Sequence, residues 1–381
     1  MQPIAETDLV IVGGGPAGAA AAIAARSCAL RVVVLERDVA ARIRPGEAAH
    51  PGIEPLLKRL GVMDAVQTAD FLRYEGHWVA WGGEPLRFVP FGRDERGAWK
   101  GFQLWRPDFD AILLDGASRA GAMIVRPCGK LHPIVRGNRV AGVETKAGTW
   151  RCAFVIDASG RQRWLARALN LQTERHGPPR VAWFGYAEGH RPAFDPNPMI
   201  ASDASGWTWM ARVRPSLYQW VRLPLHGARP PNDWRPVEFA GLQPMRQRRG
   251  IDVSWTIANP TAGSGYFLTG DAASIVDPLS SHGILKAVMS GMKAAHHSAA
   301  VLRRGVRPDA AANCYHDWLA RWFRQDRSGL GDLYSAIGGR PGHDLFRADA
   351  PRRWSLTSSV RKQQNPPYLE IVGISSDYQK S

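Results

Sequence analysis

Apolar residues fall into strand-length runs at the start of the chain, alternating aromatic stretches in its middle and helical spacings towards its end. Leu9-Val10-Ile11-Val12 is a short apolar run broken by Gly13-Gly14-Gly15-Pro16-Ala17-Gly18. Ala19 to Ala25 is small and helix-prone, and Val32-Val33-Val34-Leu35 is a second run that ends at Glu36. Strand, glycine turn, helix and strand within about 30 residues predict a βαβ unit. The spacing of Leu56, Leu57 and Leu60 predicts an amphipathic helix from Glu54 to Gly61. Phe71 to Trp81 reads as one aromatic strand. Phe102 to Trp105 is another, leading into a helix through Leu113 and Leu114 with Pro107 in its first turn. Ile124 to Ile156 predicts a β-meander with turns at Arg136-Gly137-Asn138-Arg139 and Lys146-Ala147-Gly148. Val181 to Trp255 is strand and loop, rich in tryptophan, with a proline-crowded surface loop from Arg229 to Pro236. Tyr266 to Thr269 reads as the last strand, followed by helices from Leu285 to about Arg303 and from Tyr315 to Leu333. The tail from Gly338, rich in glycine, proline and arginine, is expected to be an extended strap or partly disordered. No internal repeat is evident.

At 381 residues the chain can bury one large core or two modest ones. Its net charge of +15 points either to genomic arginine bias or to an anionic partner, and the charges are scattered rather than blocked. Arg246-Gln247-Arg248-Arg249, the densest cluster, reads as a solvated turn. With no basic helix and no aromatic platform on a basic strand, nucleic-acid binding is not expected. The four cysteines, Cys28, Cys128, Cys152 and Cys314, are far apart and read as reduced thiols. No signal peptide opens the chain and no stretch of about 20 apolar residues would span a membrane. A soluble, cytoplasmic protein is expected.

The glycine turn carries the first chemistry. Gly13 makes the tight turn, Gly15 lets the backbone approach a pyrophosphate, and Gly18 lets the helix close on the strand. The helix N-terminus favours phosphate. Glu36, at the end of the second strand, is placed to accept ribose hydroxyls and would repel a 2′-phosphate, so the dinucleotide is FAD or NAD rather than NADP. Two later stretches have the same loop character: Asp157-Ala158-Ser159-Gly160, at the end of a buried strand, and Gly270-Asp271-Ala272-Ala273, which leads to Asp277-Pro278-Leu279-Ser280-Ser281-His282-Gly283. Read locally, Asp271 is as consistent with a helix N-cap and His282 with a capping residue. His296-His297 lack a carboxylate or cysteine partner at ligand spacing, so no metal site is expected.

Together these stretches resemble the flavoprotein monooxygenase superfamily with the p-hydroxybenzoate hydroxylase-like fold, over most of the chain up to about Arg327. The resemblance implies FAD as cofactor. Asp271 would then bind the ribityl or pyrophosphate region, and Asp277 and Pro278 to Gly283 would lie beside the isoalloxazine ring. Arg106, followed by Phe109-Asp110 and Leu113, would contact the flavin side, with Asp157 and Gly160 completing the site. Gly46-Glu47, Asp277-Pro278 and Gly206-Trp207-Thr208-Trp209 resemble the flavin-dependent halogenases and their hydroxylating relatives. Three departures count against halogenation. Met210-Ala211-Arg212 follows Trp209, where the halogenase signature W-x-W-x-I-P differs. No lysine occurs between Lys58 and Lys100, where Arg73 and Tyr74 stand instead. His282 replaces the small hydroxyl residue expected before Gly283.

The phrases Asp252-Val253-Ser254-Trp255, Ser281-His282-Gly283 with Leu285-Lys286-Ala287, Ser290-Gly291-Met292, and Trp318 with Phe323 and Tyr334 resemble most the maturation flavoproteins that modify a partner's tryptophan on the way to a tryptophylquinone. Those relatives include the helpers of lysine ε-oxidase, glycine oxidase and quinohemoprotein amine dehydrogenase. The expected fold is α/β. It comprises a Rossmann-type FAD-binding domain (1–70, 102–165 and 262–335), an inserted mainly antiparallel β-sheet substrate domain (71–101 and 166–261) and a C-terminal extension (336–381). The expected function is FAD-dependent hydroxylation of an aromatic ring, most specifically a tryptophan of a partner protein, with NAD(P)H or a separate reductase as electron donor. The alternatives are a small-molecule aromatic hydroxylase or halogenase-like enzyme, and an FAD-containing maturation chaperone without turnover. His282, Glu47, Trp207 and Trp209 are the candidate catalytic residues. Thr208 should face away from both tryptophans, because side chains alternate along a strand.

Overall fold

The computed structural model describes residues 4–40, 42–191, 196–225 and 227–337, so the tail from Gly338 lies outside the described residues. The apolar runs read from the sequence pair at the centre of a sheet. Strand Ile4–Val12 lies between Val32–Leu35 and Gly148–Asp157, parallel to both, and Met123–Val125 extends the parallel order beyond Val32–Leu35. Leu9, Val10, Ile11 and Val34 are fully buried, as strands covered on both faces require. Tyr266–Leu268 joins the end of Gly148–Asp157 in parallel; the meander starts at Leu131 and not at Ile124, which belongs to the parallel strand Met123–Val125, and its strands Leu131–Arg136, Arg139–Thr145 and Gly148–Asp157 turn where expected.

Seven α-helices are described: α1 Pro16–Ser27, α2 Glu54–Arg59, α3 Met63–Thr68, α4 Arg106–Arg119, α5 Trp164–Ala168, α6 Gly283–Arg304 and α7 Pro308–Ile337. Helix α1 is packed closely on α6: a Cβ on Gly291 would sit 2.1 Å from the Ala17 carbonyl oxygen. The small residues in both helices are therefore a packing requirement. Helix α7 is longer than the apolar spacing suggested, because Ala311 and Ala312 extend its buried stripe upstream of Tyr315.

A second sheet runs in the order Gln243–Pro244, Val181–Glu188, Leu217–Pro224, Gly206–Arg214, Met199–Asp203, Gly76–Ala80 and Arg87–Pro90. It is antiparallel except where Met199–Asp203 meets Gly76–Ala80, and Arg249–Asp252 pairs with Val181–Glu188 as a further strand. Its two faces differ. Ala182, Phe184, Trp207, Trp209, Gln219 and Val221 point to one side and line a cavity. Trp183, Met210, Tyr218 and Trp220 point to the other, where they pack with Trp234 and Phe239. The α/β class, with a Rossmann-like parallel sheet, antiparallel sheets and C-terminal helices, is the observed architecture.

Two local expectations give way. The stretch from Phe71 to Trp81 is two strands, Leu72–Tyr74 and Gly76–Ala80, belonging to different sheets. Gly76 sits against the neighbouring strand, where a Cβ would lie 2.3 Å from the Val89 carbonyl oxygen. Tyr266–Leu268 is also not the last strand, since Ser274–Ile275 pairs with Thr256–Asn259.

Candidate active site

One cavity of about 970 Å³ runs from the glycine turn to the apolar face of the second sheet. That is near the upper end of small-molecule sites, about 300–1,000 Å³. At its first end, Gly13 has φ +103°, and a Cβ there would lie 2.4 Å from the Ala158 carbonyl oxygen. A Cβ on Gly18 would lie 1.8 Å from the Gly13 carbonyl oxygen, so the helix closes on the strand only with glycine there. Gly15 has nothing within 4 Å of its missing Cβ and faces open space at the start of α1, whose first turn holds no acidic residue. Gly160 and Gly283 also face open cavity, while a Cβ on Gly46 would meet only an Arg106 guanidinium nitrogen at 3.7 Å. Glu36 accepts from the Gly14 amide (2.6 Å) and the Asp38 amide (2.8 Å). A carboxylate has about four lone-pair positions, which leaves acceptor capacity on the cavity side. Arg37, Arg44, Lys130 and Arg161 supply positive charge along the same wall.

The residues of the later loops divide. Asp271 borders the cavity and pairs with Arg161 at 3.4 Å, beside Gly270. Arg106 also borders it, held by a bidentate pair to Asp110 (2.9 and 3.0 Å). Asp157 does not face it. Its carboxylate accepts from the Ser159 amide (2.9 Å) and the Leu165 amide (2.9 Å), so it braces the turn that presents Ala158, Ser159 and Gly160. Asp277 is fully buried and accepts from Trp255 Nε1 (2.7 Å), the Tyr334 hydroxyl (3.0 Å) and the Leu279 amide (3.1 Å). Those bonds shape the Pro278–Ser280 turn, and Asp277 itself lines the cavity. Pro278 and Gly283 line the cavity at the start of α6.

His282 stands where this loop meets the second sheet. Its Nδ1 is 2.8 Å from Asp326 Oδ1 of α7. Burial alone would lower the imidazole pKa, but the charge and hydrogen bond of Asp326 outweigh it and the net direction is up. His50 and His77 also line the cavity, and burial pushes them down to about 3 and about 4, so both are neutral at ordinary pH. Lys286, one turn into α6, donates to the Ser274 carbonyl oxygen at 2.7 Å, and burial lowers its pKa.

Glu47 is fully buried against the second sheet. Burial pushes its pKa up to about 7, against the hydrogen bond from Tyr186 and the charge of Arg106. The Tyr186 hydroxyl donates to Glu47 Oε1 and accepts from Gln219 Nε2 (3.1 Å). Trp207 and Trp209 line the cavity and Thr208 turns away, bonded to Arg222 (3.1 Å). Trp207 is a wall rather than a chemical group, because its indole N–H is committed to the Tyr334 hydroxyl at 2.8 Å. Arg73 and Tyr74 are not in the cavity. Arg73 pairs with Glu54 at 2.5 Å over the Phe102 ring, Tyr74 reaches the Ala49 carbonyl oxygen, and His77 holds the lining position.

Asp326 and Gln219 were missed in the sequence. Each had a signal: a polar residue inside an apolar stripe. Asp326 follows Leu319, Trp322 and Phe323 at helical spacing, and Gln219 alternates with Leu217, Val221 and Leu223. Among the described residues no cluster of His, Cys, Asp or Glu is arranged to hold a metal, and no helix is long and apolar enough to cross a membrane.

The open faces at Gly15, Gly160 and Gly283, the α1 N-terminus and the basic wall fit an elongated dinucleotide with a pyrophosphate. Residues 8–99 match the protein family described as tryptophan halogenase. The tryptophan 2-halogenase of Chondromyces crocatus is 28% identical over 362 residues, which covers 84% of this chain and 67% of that protein. Among solved structures, CmlS, a flavin-dependent halogenase, superimposes with a TM-score of 0.77 at 21% identity, over 94% of this chain and 70% of that one. The peptidyl tryptophan dihydroxylase QhpG, described as essential for tryptophylquinone cofactor biogenesis, gives 0.68 at 24% identity, over 90% and 78%. The chain is thus similar to flavin-dependent halogenases and monooxygenases. Halogenases predominate among its relatives, which corrects the expectation that the tryptophylquinone maturation flavoproteins stand nearest.

Proposed function

We propose that this chain is an FAD-dependent monooxygenase that hydroxylates an electron-rich aromatic ring, its specific substrate the indole of a tryptophan in a partner polypeptide. The observation that carries this reading is the junction of the cavity. Between the dinucleotide end and the aromatic wall stand three histidines and a carboxyl, His50, His77, His282 and Glu47, and the lysine beside them, Lys286, donates to the Ser274 carbonyl oxygen.

The cofactor is FAD, and once reduced it supplies the electrons with which molecular oxygen is activated. Gly13, Gly15, Gly18, Glu36, Gly160, Gly270 and Asp271 would hold its dinucleotide part, and Pro278, Gly283 and Arg106 would border its ring. The N-terminus of α6 favours negative charge beside it. His282, with Nδ1 engaged by Asp326, is left with Nε2 as its proton-transfer atom, and its raised pKa keeps it able to give a proton near neutrality. Trp209, Phe184, Val79 and Val221 exclude water and stack the substrate ring. The electrons come from NAD(P)H or a separate reductase, and a net charge of +15 would steer an acidic partner to the site.

Halogenation is the second reading, favoured by the family match over residues 8–99 and by the 28% identical tryptophan 2-halogenase. On that reading a lysine would have to serve the chamber. The cavity-lining lysines among the described residues are Lys130 and Lys286, and one of the three Lys286 N–H donors is used on the Ser274 carbonyl oxygen. The discriminating experiment supplies the FAD-loaded protein with a reductase, oxygen, bromide and a tryptophan-containing polypeptide. Gain of oxygen on the tryptophan supports hydroxylation, and gain of bromine establishes the second reading.

A further inference from the structure

Three strands of the second sheet present Ala182, Phe184, Trp207, Trp209, Gln219 and Val221 to the cavity. Five of these are apolar or aromatic, and Gln219 is the exception. Gln219 lies opposite Tyr186 in the strand register, and its orientation follows from the network. The Tyr186 hydroxyl spends its proton on Glu47, so it accepts from Gln219 Nε2, which leaves Oε1 as the other end of the amide. Gln219 Oε1 is buried and has no hydrogen-bond partner, and the same holds for Glu47 Oε2. Both residues are fully buried and both line the cavity. Two buried acceptors joined through one hydroxyl therefore have no protein donor to serve them. Buried acceptors without donors are costly, and a ligand that brings the donor recovers that cost on binding.

We propose that Glu47 and Gln219 form an acceptor pair that reads a ring N–H, which makes the chamber selective for neutral aromatic rings carrying an N–H donor. This inference rests on the chamber being the substrate site. It adds a rule for choosing among rings that the apolar walls alone cannot supply, since Trp209 and Phe184 stack equally well on a ring with or without an N–H. An indole or an aniline brings the N–H donor that these oxygens lack. A phenolate brings no donor to either oxygen. The strength of such readout lies in rejection: a site built to hydrogen-bond a donor discriminates against the analogue that lacks it.

The test measures binding to the oxidised, FAD-loaded protein by titration calorimetry, with indole, 1-methylindole and benzothiophene as probes, so no turnover is needed. Indole should bind at least about tenfold more tightly than the other two, and Gln219→Leu should reduce that ratio to about two while leaving 1-methylindole binding unchanged. Glu47→Gln keeps an acceptor and should retain part of the ratio. A ratio near one in the unaltered protein overturns the proposal, as does failure of indole to bind or a ratio unchanged in Gln219→Leu. If the two acceptors serve an N–H of the flavin instead, the variants will lose FAD with no change in the probe ratio, which also overturns it. Because the readout is binding, a tryptophan product carrying bromine would remove the hydroxylase reading and leave this result standing.

Discussion

Asp326→Asn isolates the pairing on which the proton chemistry of the site depends. The variant keeps the size of the side chain and removes the charge that faces His282 Nδ1 at 2.8 Å. A hydrogen bond to a charged group is worth about 1.5–3 kcal/mol. Removing that charge lowers the His282 pKa, since the charge and hydrogen bond of Asp326 are what hold it up against burial. The sign follows from the pairing. A histidine raised above its unfolded value stabilises the fold fully below that value, near 6.5, and this contribution is lost as pH rises through the folded value. The stability difference between the two proteins should therefore be large at pH 5.5 and shrink by pH 9, and denaturant midpoints across that range read it. If protonated His282 is needed for turnover, the alkaline limb of kcat/KM moves to lower pH in the variant. His282→Asn should remove that limb. An unmoved limb together with a stability gap independent of pH would refute the pairing as the source of the raised pKa.

Two further changes probe other parts of the account. Gly15→Val should fold normally, because nothing lies within 4 Å of its missing Cβ, yet purify without FAD since the side chain fills the pyrophosphate's place; a flavin spectrum at full occupancy contradicts this. Glu47→Gln should remove a pH-dependent cost. A carboxyl raised from 4.5 to about 7 on folding loses stability as pH rises through that window, so the variant should be the more stable protein above pH 7, by roughly 3 kcal/mol at most, in thermal unfolding of the flavin-free protein.

The parts of this molecule legible in its sequence are those built from neighbouring residues. The βαβ unit could be read because Gly13, Gly18 and Glu36 act within a few turns of one another, and the hairpins at 136–139 and 146–148 because turn chemistry is local. The site's polar contacts are not local. Asp326 reaches His282 across 44 residues and Tyr186 reaches Glu47 across 139, so only the folded chain brings them together. Asp157 and Asp277 show the converse. Both accept internal hydrogen bonds, Asp157 from backbone amides and Asp277 from an amide, an indole N–H and the Tyr334 hydroxyl, yet only Asp277 lines the cavity, a difference no spacing rule shows. That His77, and not Arg73 or Tyr74, lines the cavity has a related reason. Arg73 and Tyr74 stand on Leu72–Tyr74 and His77 on Gly76–Ala80, and these two strands belong to different sheets, a division the continuous aromatic pattern from Phe71 to Trp81 does not show.

The most direct test of the central claim is the mass of the product. The FAD-loaded protein, a flavin reductase, oxygen and bromide are incubated with a tryptophan-containing acidic polypeptide, and the tryptophan peptide is weighed. The account predicts a gain of one or two oxygen atoms that is lost without FAD and in His282→Asn. A bromine isotope doublet on the tryptophan, formed at turnover rates and retained in His282→Asn, would contradict it.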